Sequence, residues 1–320
     1  MKAVKAVKAT NHLQGLQKFN QKGVALLMVL WIVSIMLMIS SSLLYSVKMQ
    51  TAMTYYGRNN AEIRAYSEAA LRYSIQQLLL DPSLRSINIL GKPFKWEFEQ
   101  SQATISIVAE NGLIDLNQAP RKLLQKLFIH VGEDEDKANM LLDLIEDFKD
   151  DDNLARLNGA EDQAYVNAGF AAGAKDAPFE RLEELQQVMA ISLNVYQKLE
   201  KYLTVNAQSK GVNPMLAPEH ILMLLANNDT GLVYDYMEQR ENAGGRYLQA
   251  NFGEGFTSYT QQDRYRINIQ ISINGQASYY LDEYSILLVK DKIPPFISYY
   301  RKKFPIQQEP KTVEKDQANN

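Results

Sequence analysis

The chain of 320 residues contains no cysteine, which excludes disulfides, thiolate zinc sites, iron–sulfur clusters and cysteine nucleophiles. Histidine is nearly absent too. His12, His130 and His220 are far apart, and no HExxH, GxSxG or GxxxxGK[ST] pattern occurs. No enzyme is indicated. A basic excess is also missing: 34 Lys+Arg stand against 37 Asp+Glu, a balance that does not suit a dedicated nucleic-acid binder. The most informative absence is local. From Val24 to Val47, 24 residues pass without Asp, Glu, Lys, Arg or His. A helix of about 20 apolar residues spans a bilayer core, and soluble core helices are seldom uncharged for so long.

What is present is uneven. Residues 1–23 hold Lys2, Lys5, Lys8, Lys18 and Lys22 and no acid. Without those five lysines, 29 basic side chains face 37 acidic ones. Lysines ahead of an apolar run place the N-terminus in the cytoplasm and the remainder across the membrane. A cleaved secretory signal needs a shorter run and a small-x-small site, and Ser40–Ser42 supply a poor one. Lys22-Gly23 directly before the run instead resembles a type IV prepilin leader, cut between Gly23 and Val24 on the cytoplasmic side. The mature chain would then begin at Val24 and keep its membrane helix.

Helical spacing continues from the apolar run to about Leu80, through Ala61, Ala65, Ala69, Ile75 and Leu78, and Asp81-Pro82 stops it. Period-two alternation then predicts strands at Phe94, Trp96 and Phe98 and at Ala103, Ile105, Ile107 and Ala109. The clearest strand is Ile267, Ile269, Ile271 and Ile273, with Asn274-Gly275 as a hairpin turn. Gln276–Leu281 is expected to return, and Tyr284–Val289 to add a separate strand. Between the strand regions, apolar residues at three- and four-residue steps predict helices over 122–128, 137–148, 179–188, 195–203 and 218–225. The expected fold class is α+β, a long N-terminal helix and an antiparallel sheet interrupted by a large α-helical insertion. The expected organisation is a leader at 1–23, a membrane and stalk helix at 24–80, sheet parts at 81–110 and 255–292, the insertion at 111–254 and a polar tail at 293–320. From Arg301 onward that tail is expected to be disordered.

Ile114–Pro120 and Val212–Pro218 form a weak repeat ending in Ala-Pro, each ahead of an apolar helix. The spacing predicts that Asp115 and Asn213 cap helices carrying proline in the first turn. Residues 131–162 contain twelve acids opposed only by Lys137, Lys149 and Arg156. Such a run is either a solvated face or a calcium site, since Ca²⁺ takes six to eight oxygen ligands. The spacing does not fit a twelve-residue EF-hand loop.

Taken in order, Lys22-Gly23-Val24, Gly112–Pro120, Asp147–Asp152, Gly159–Asp162 with Tyr165, Phe179–Leu185 and Tyr202–Val205 resemble the K-type minor pseudopilins of type II secretion systems. The resemblance runs from about residue 20 to 290. Phe148 stands where that family often has Trp, and Met215 where Asn is usual. Met28, the fifth residue counted from Val24, stands where most pilins carry Glu. An unpaired carboxylate in a bilayer is expensive, so a subunit with no neighbour above it is better apolar there. The resemblance implies a pilin-like fold and a place at the pseudopilus tip, with the I- and J-type minor pseudopilins as companions. It implies the major pseudopilin, a prepilin peptidase and the inner-membrane assembly platform as further partners, with N-methylation of Val24. It implies a single-pass inner-membrane protein, most of it periplasmic, and a structural calcium site. Asp147, Asp150, Asp152, Glu161 and Asp162 are the expected ligands.

Two alternatives share features with this reading. A type IV minor pilin has the same leader and helix. A helix-hairpin-helix nucleic-acid module resembles Ile114–Pro120 and its following helix. Its hairpin position, however, reads Ile129–Asp136, whose acids repel phosphate. No nucleic-acid partner is expected.

Overall fold

The computed structural model describes residues 21–252 and 255–305. Most of the leader lies outside the described residues, and so does the tail beyond Pro305. Helix α1 runs from Gln21 to Leu79. Two compact units divide it after Glu62.

In the first unit, the helix from Val24 is long and apolar enough to cross a membrane, and its apolar window is wholly unburied. Three of its hydroxyls bond back onto the helix itself: Ser34 Oγ donates to Leu30 O, Thr51 Oγ1 to Val47 O and Thr54 Oγ1 to Gln50 O, each at 2.8 Å. That local bonding is what makes a hydroxyl tolerable on an apolar helix. The first acid, Glu62, pairs with Arg58 at 2.8 Å.

In the second unit, Ala70, Leu71, Ile75 and Leu78 form a buried stripe at three- and four-residue steps. They pack on one face of a five-stranded antiparallel sheet. Its strands are β1 (Phe94–Phe98), β2 (Ser101–Ala109), β5 (Arg264–Ile273), β6 (Gln276–Leu288) and β7 (Phe296–Pro305), in the order β1-β2-β5-β6-β7. The core face is read directly from the alternation: Ala103, Ile105, Ile107 and Ala109 on β2 meet Ile267, Ile269 and Ile271 on β5. The turn between β5 and β6 uses Asn274 at φ 50° and Gly275 at φ 78°, the paired positive values that the Asn-Gly dipeptide accepts.

The structure corrects the expected return strands. Gln276–Leu288 is one strand, because the charged pair Asp282-Glu283 does not break it. Asp282 is buried and held by Ser67 Oγ at 2.8 Å and by Arg301 at 3.3 Å. The structure also corrects the expected tail. Residues 296–305 form the edge strand β7, antiparallel to β6. Its polar residues have partners: besides the Arg301 pair, Tyr300 OH donates to Glu183 Oε1 at 2.9 Å and Lys302 Nζ approaches the same oxygen at 2.5 Å. Phe296 packs against the sheet core.

Residues between β2 and β5 build a second core from short elements: β3 (Ile114–Asp115), α2 (Arg121–His130), α3 (Glu135–Lys149), α4 (Asp162–Asn167), α5 (Leu193–Leu199), β4 (Leu203–Thr204), α6 (Glu219–Leu225) and α7 (Thr230–Asn242). The expected helix over 179–188 is instead a 3₁₀ segment at Leu182–Gln187. Phe179 is kept out of any helix because Asn117 bonds both its backbone groups, Nδ2 to Phe179 O at 2.8 Å and Phe179 N to Oδ1 at 2.9 Å. The expected helix over 195–203 ends at Leu199, and Leu203 and Thr204 pair in parallel with Ile114 and Asp115.

The two Ala-Pro repeats also work differently from simple caps. Pro120 and Pro218 themselves sit at the N-caps of α2 and α6, with no side-chain capping bond. Asp115 Oδ1 accepts from Asn117 N at 2.8 Å and Gln118 N at 3.1 Å, and Asn213 Oδ1 accepts from Met215 N at 3.1 Å. Each makes an Asx turn that aims the chain into its helix. The second repeat meets the chain just ahead of the first, Asn213 N donating to Asn111 O at 2.8 Å. Beside this contact, a Cβ on Gly112 would lie 2.3 Å from Leu216 O, so only glycine permits the approach.

Candidate metal centre in the acidic loop

Helix α3 is amphipathic, and its C-terminal end carries the acidic run. Asp134 caps the start, accepting from Lys137 N at 2.8 Å. The end is anchored by Phe148, which stacks on Phe179 at 5.5 Å and lies 5.9 Å from Tyr165. Lys175 N and Asp176 N both donate to Phe148 O, at 2.9 and 3.2 Å, and so close the helix terminus. Tyr165 is itself fully buried and accepts from Met189 N at 3.1 Å. The aromatic cluster therefore fixes both ends of the loop that runs from Asp150 to Glu161.

The anchoring holds Asp147 fully inside. One of its oxygens accepts from Arg156 N at 3.0 Å, and the other meets the Arg156 guanidinium. A Cβ on Gly159 would lie 1.7 Å from Asp147 Oδ2, so the loop can close over this carboxylate only with glycine there. Arg156 also reaches Asp150 Oδ2 at 2.6 Å and Glu146 Oε2 at 3.0 Å. Arg121 pairs with the same Glu146 and with Asp143, each at 2.7 Å. Asn158 fastens the far side, donating from N and Nδ2 to Asp143 Oδ2 at 3.2 and 3.1 Å.

Three carboxylates converge. Oxygens of Asp147, Asp150 and Glu161 lie within 4.8 Å of one another. Among the described residues, both Glu161 oxygens and Asp150 Oδ1 are shut off from solvent without a hydrogen-bond donor. Burial pushes the Glu161 carboxyl above its ordinary range, and the charges of Asp147, Asp150, Asp152 and Asp176 push it further. A buried anionic cluster with unused lone pairs is chemically suited to a hard cation with oxygen ligands.

The other two expected ligands lie outside this group. Asp152 is exposed, and its Oδ1 accepts from Leu154 N at 2.9 Å in a turn of its own. Asp162 opens α4, and its carboxylate rests where Gly173 lacks a side chain, 1.9 Å from the position of the missing Cβ. Sequence reasoning did not single out Arg156 or Asp143 as parts of the site. The signal for Arg156 was its isolation among twelve acids; nothing in the sequence paired Asp143 with Asn158. At the other end of the chain, Gly23 and Val24 lie in the first turns of α1, and Met28 is exposed on it.

Comparison with known proteins bears on the same region. The profile of the family described as type II secretion system (T2SS), protein K matches residues 105–208, from within β2 through β4 and including the acidic loop. A type II secretion system protein K of Klebsiella pneumoniae is 27% identical over 235 residues, covering 65% of this chain and 70% of that relative. An Escherichia coli strain K12 relative that also carries the protein K designation is 24% identical over 206 residues, 58% of this chain and 63% of its own length. The match thus spans less than two thirds of that relative. Among solved structures, a chain in the crystal structure of the GspK-GspI-GspJ complex from the enterotoxigenic E. coli type 2 secretion system is similar with a TM-score of 0.61 at 15% identity. The superposition covers 79% of this chain and 99% of that one, and shows a shared fold. Apolar N-terminal helix, antiparallel sheet, helical insertion and the protein K profile over residues 105–208 agree, and together they support a K-type minor pseudopilin of a type II secretion system.

Proposed function

We propose that the chain caps the tip of a type II secretion pseudopilus and primes its assembly for protein export across the outer membrane. The observation that carries this reading is the protein K match over residues 105–208 in a chain whose N-terminal helix is uncharged from Val24 to Val47. In this reading a prepilin peptidase cuts between Gly23 and Val24 and methylates the new amine. The leader stays in the cytoplasm, α1 crosses the inner membrane once, and the globular unit folds in the periplasm. Met28 offers no carboxylate to a subunit above, and the helical insertion blocks further addition there. Growth then proceeds from below through the major pseudopilin and the assembly platform. The solved neighbour is named as a GspK-GspI-GspJ complex, which is the basis for proposing I- and J-type minor pseudopilins as companions here.

The acidic loop is proposed as a calcium site with a structural role. The orphaned oxygens of Glu161 and Asp150 support that role. Asp147, Asp150 and Glu161 form its centre, with Asp152 and Asp162 at its margin. Extracellular modules hold calcium at sub-millimolar to millimolar levels, consistent with a periplasmic loop.

The test is the intact mass of the chain extracted from membranes, with and without a co-expressed prepilin peptidase. The expected result is a mass beginning at Val24 plus one methyl group, seen only with the peptidase. An uncut chain, or a cut after Ser40–Ser42, overturns the pseudopilin pathway.

A further inference from the structure

The acidic loop carries its own cation. Arg156 Nη1 touches two of the three converging carboxylates, Asp147 and, at 2.6 Å, Asp150. It does not serve the third: both Glu161 oxygens stay without a donor. Among the described residues, the five carboxylates of Asp143, Glu146, Asp147, Asp150 and Glu161 are ion-paired by two guanidinium groups, those of Arg121 and Arg156, while Lys149 adds its charge near Glu146 and Asp150 without pairing them. The internal neutralisation is incomplete, and it is incomplete at Glu161.

Resting on the calcium reading of this loop, we propose that Arg156 is the resident counter-ion of the site and competes with a divalent cation for Asp147 and Asp150. Two contacts bridging separate carboxylates put the guanidinium where a divalent cation must place its charge. The swap falls to this residue and not to the equally exposed Arg121, because Arg156 is the one that touches Asp147 and Asp150. The Arg156 side chain is 37% exposed, so it has a path to water. Its third partner, Glu146, keeps Arg121 at 2.7 Å when Arg156 leaves. The loop backbone does not depend on the guanidinium either. Arg156 N on Asp147 Oδ2 at 3.0 Å, Asn158 on Asp143 and Gly159 N on Arg156 O at 3.1 Å all remain. One loop conformation therefore accepts either cation. The arginine keeps the buried carboxylates partnered before metal arrives, and it lowers the metal affinity that the carboxylates alone would have.

The test uses the full chain in detergent, stripped with a chelator, and titrated with calcium by calorimetry. Wild type is compared with Arg156→Gln and Arg156→Lys. If the guanidinium competes, Arg156→Gln binds calcium at least about tenfold more tightly, because the two charge-assisted contacts to Asp147 and Asp150 no longer have to be broken. Its melting temperature falls in chelator but stays close to wild type in calcium. Arg156→Lys keeps the charge without the two-pronged fork, so it tightens binding by a smaller factor; it keeps the idea testable should the glutamine variant fail to fold. Equal or weaker calcium binding by both variants, with wild type still binding, overturns the competition alone and would make Arg156 a supporting residue of the site. No calcium binding by any of the three proteins overturns the calcium reading and the competition together.

Discussion

Replacing Gly159 with alanine places a methyl group 1.7 Å from Asp147 Oδ2 and 3.1 Å from Arg156 N. Ordinary carbon contacts begin near ~3.5 Å, so the carboxylate or the loop must retreat on the order of 1.5–2 Å. Asp147 has no free space around it, being fully buried, and its two oxygens hold the Arg156 backbone and guanidinium. Separating a buried carboxylate from its partner costs about 3–5 kcal/mol. Here the arginine side chain is 37% exposed, and solvent screening brings the expected loss to about 2–3 kcal/mol. For a folded unit of this size that is a drop of about 5–10 °C in melting temperature. The assay is thermal unfolding of the purified full chain in chelator, followed by circular dichroism. Gly57→Ala is the control, since nothing lies within 4 Å of a Cβ there, and a mid-helix alanine is expected to be neutral or slightly stabilising. A Gly159→Ala protein melting within about 1 °C of wild type would refute the reasoning, because it would mean the loop can open over Asp147 at negligible cost.

Two further expectations follow from other contacts. Asn117→Ala strands both backbone groups of Phe179, and a loss of about 2 kcal/mol in denaturant unfolding is expected, with faster proteolysis between Gly169 and Arg181; unchanged stability and cleavage would contradict the bridge. Burial alone would push the Glu183 carboxyl up, but Lys302 and Tyr300 of β7 hold it below its ordinary 4.5. A carboxyl depressed in the folded state adds stability above its unfolded pKa and loses that stability as pH falls through its folded value. Glu183→Gln is therefore expected to unfold about 1 kcal/mol more easily at pH ~7 and to converge with wild type near pH ~3. A gap that persists in acid would show that the contact is not electrostatic.

The lessons differ from element to element. Strand β5 and the helix α1 were legible because burial on one face imposes a strict period, and that period survives in any context: 2 for the isoleucines at 267–273, and three to four for Ala70 to Leu78. The Asn-Gly turn was legible because positive φ at two successive residues narrows the choice of residue type. Strand β7 was not legible. Its arginine and lysines look like a solvated tail until Asp282 and Glu183, 19 and 119 residues away, become their partners. The segment at Phe179 has helical spacing, and only the Asn117 side chain, 62 residues distant, claims its backbone.

The acidic loop divides in the same way. By itself the sequence determined the apolar membrane-length helix, the antiparallel sheet with its inserted helices, and the run of carboxylates, because local period and local charge density are properties of neighbours along the chain. The tertiary structure decided which carboxylates converge. It chose Asp147, Asp150 and Glu161 by closing a loop on Gly159 and anchoring both of its ends on Phe148 and Tyr165. It also put Arg156 among them. Convergence and desolvation depend on contacts between residues distant along the chain, and a pattern read locally carries no information about them.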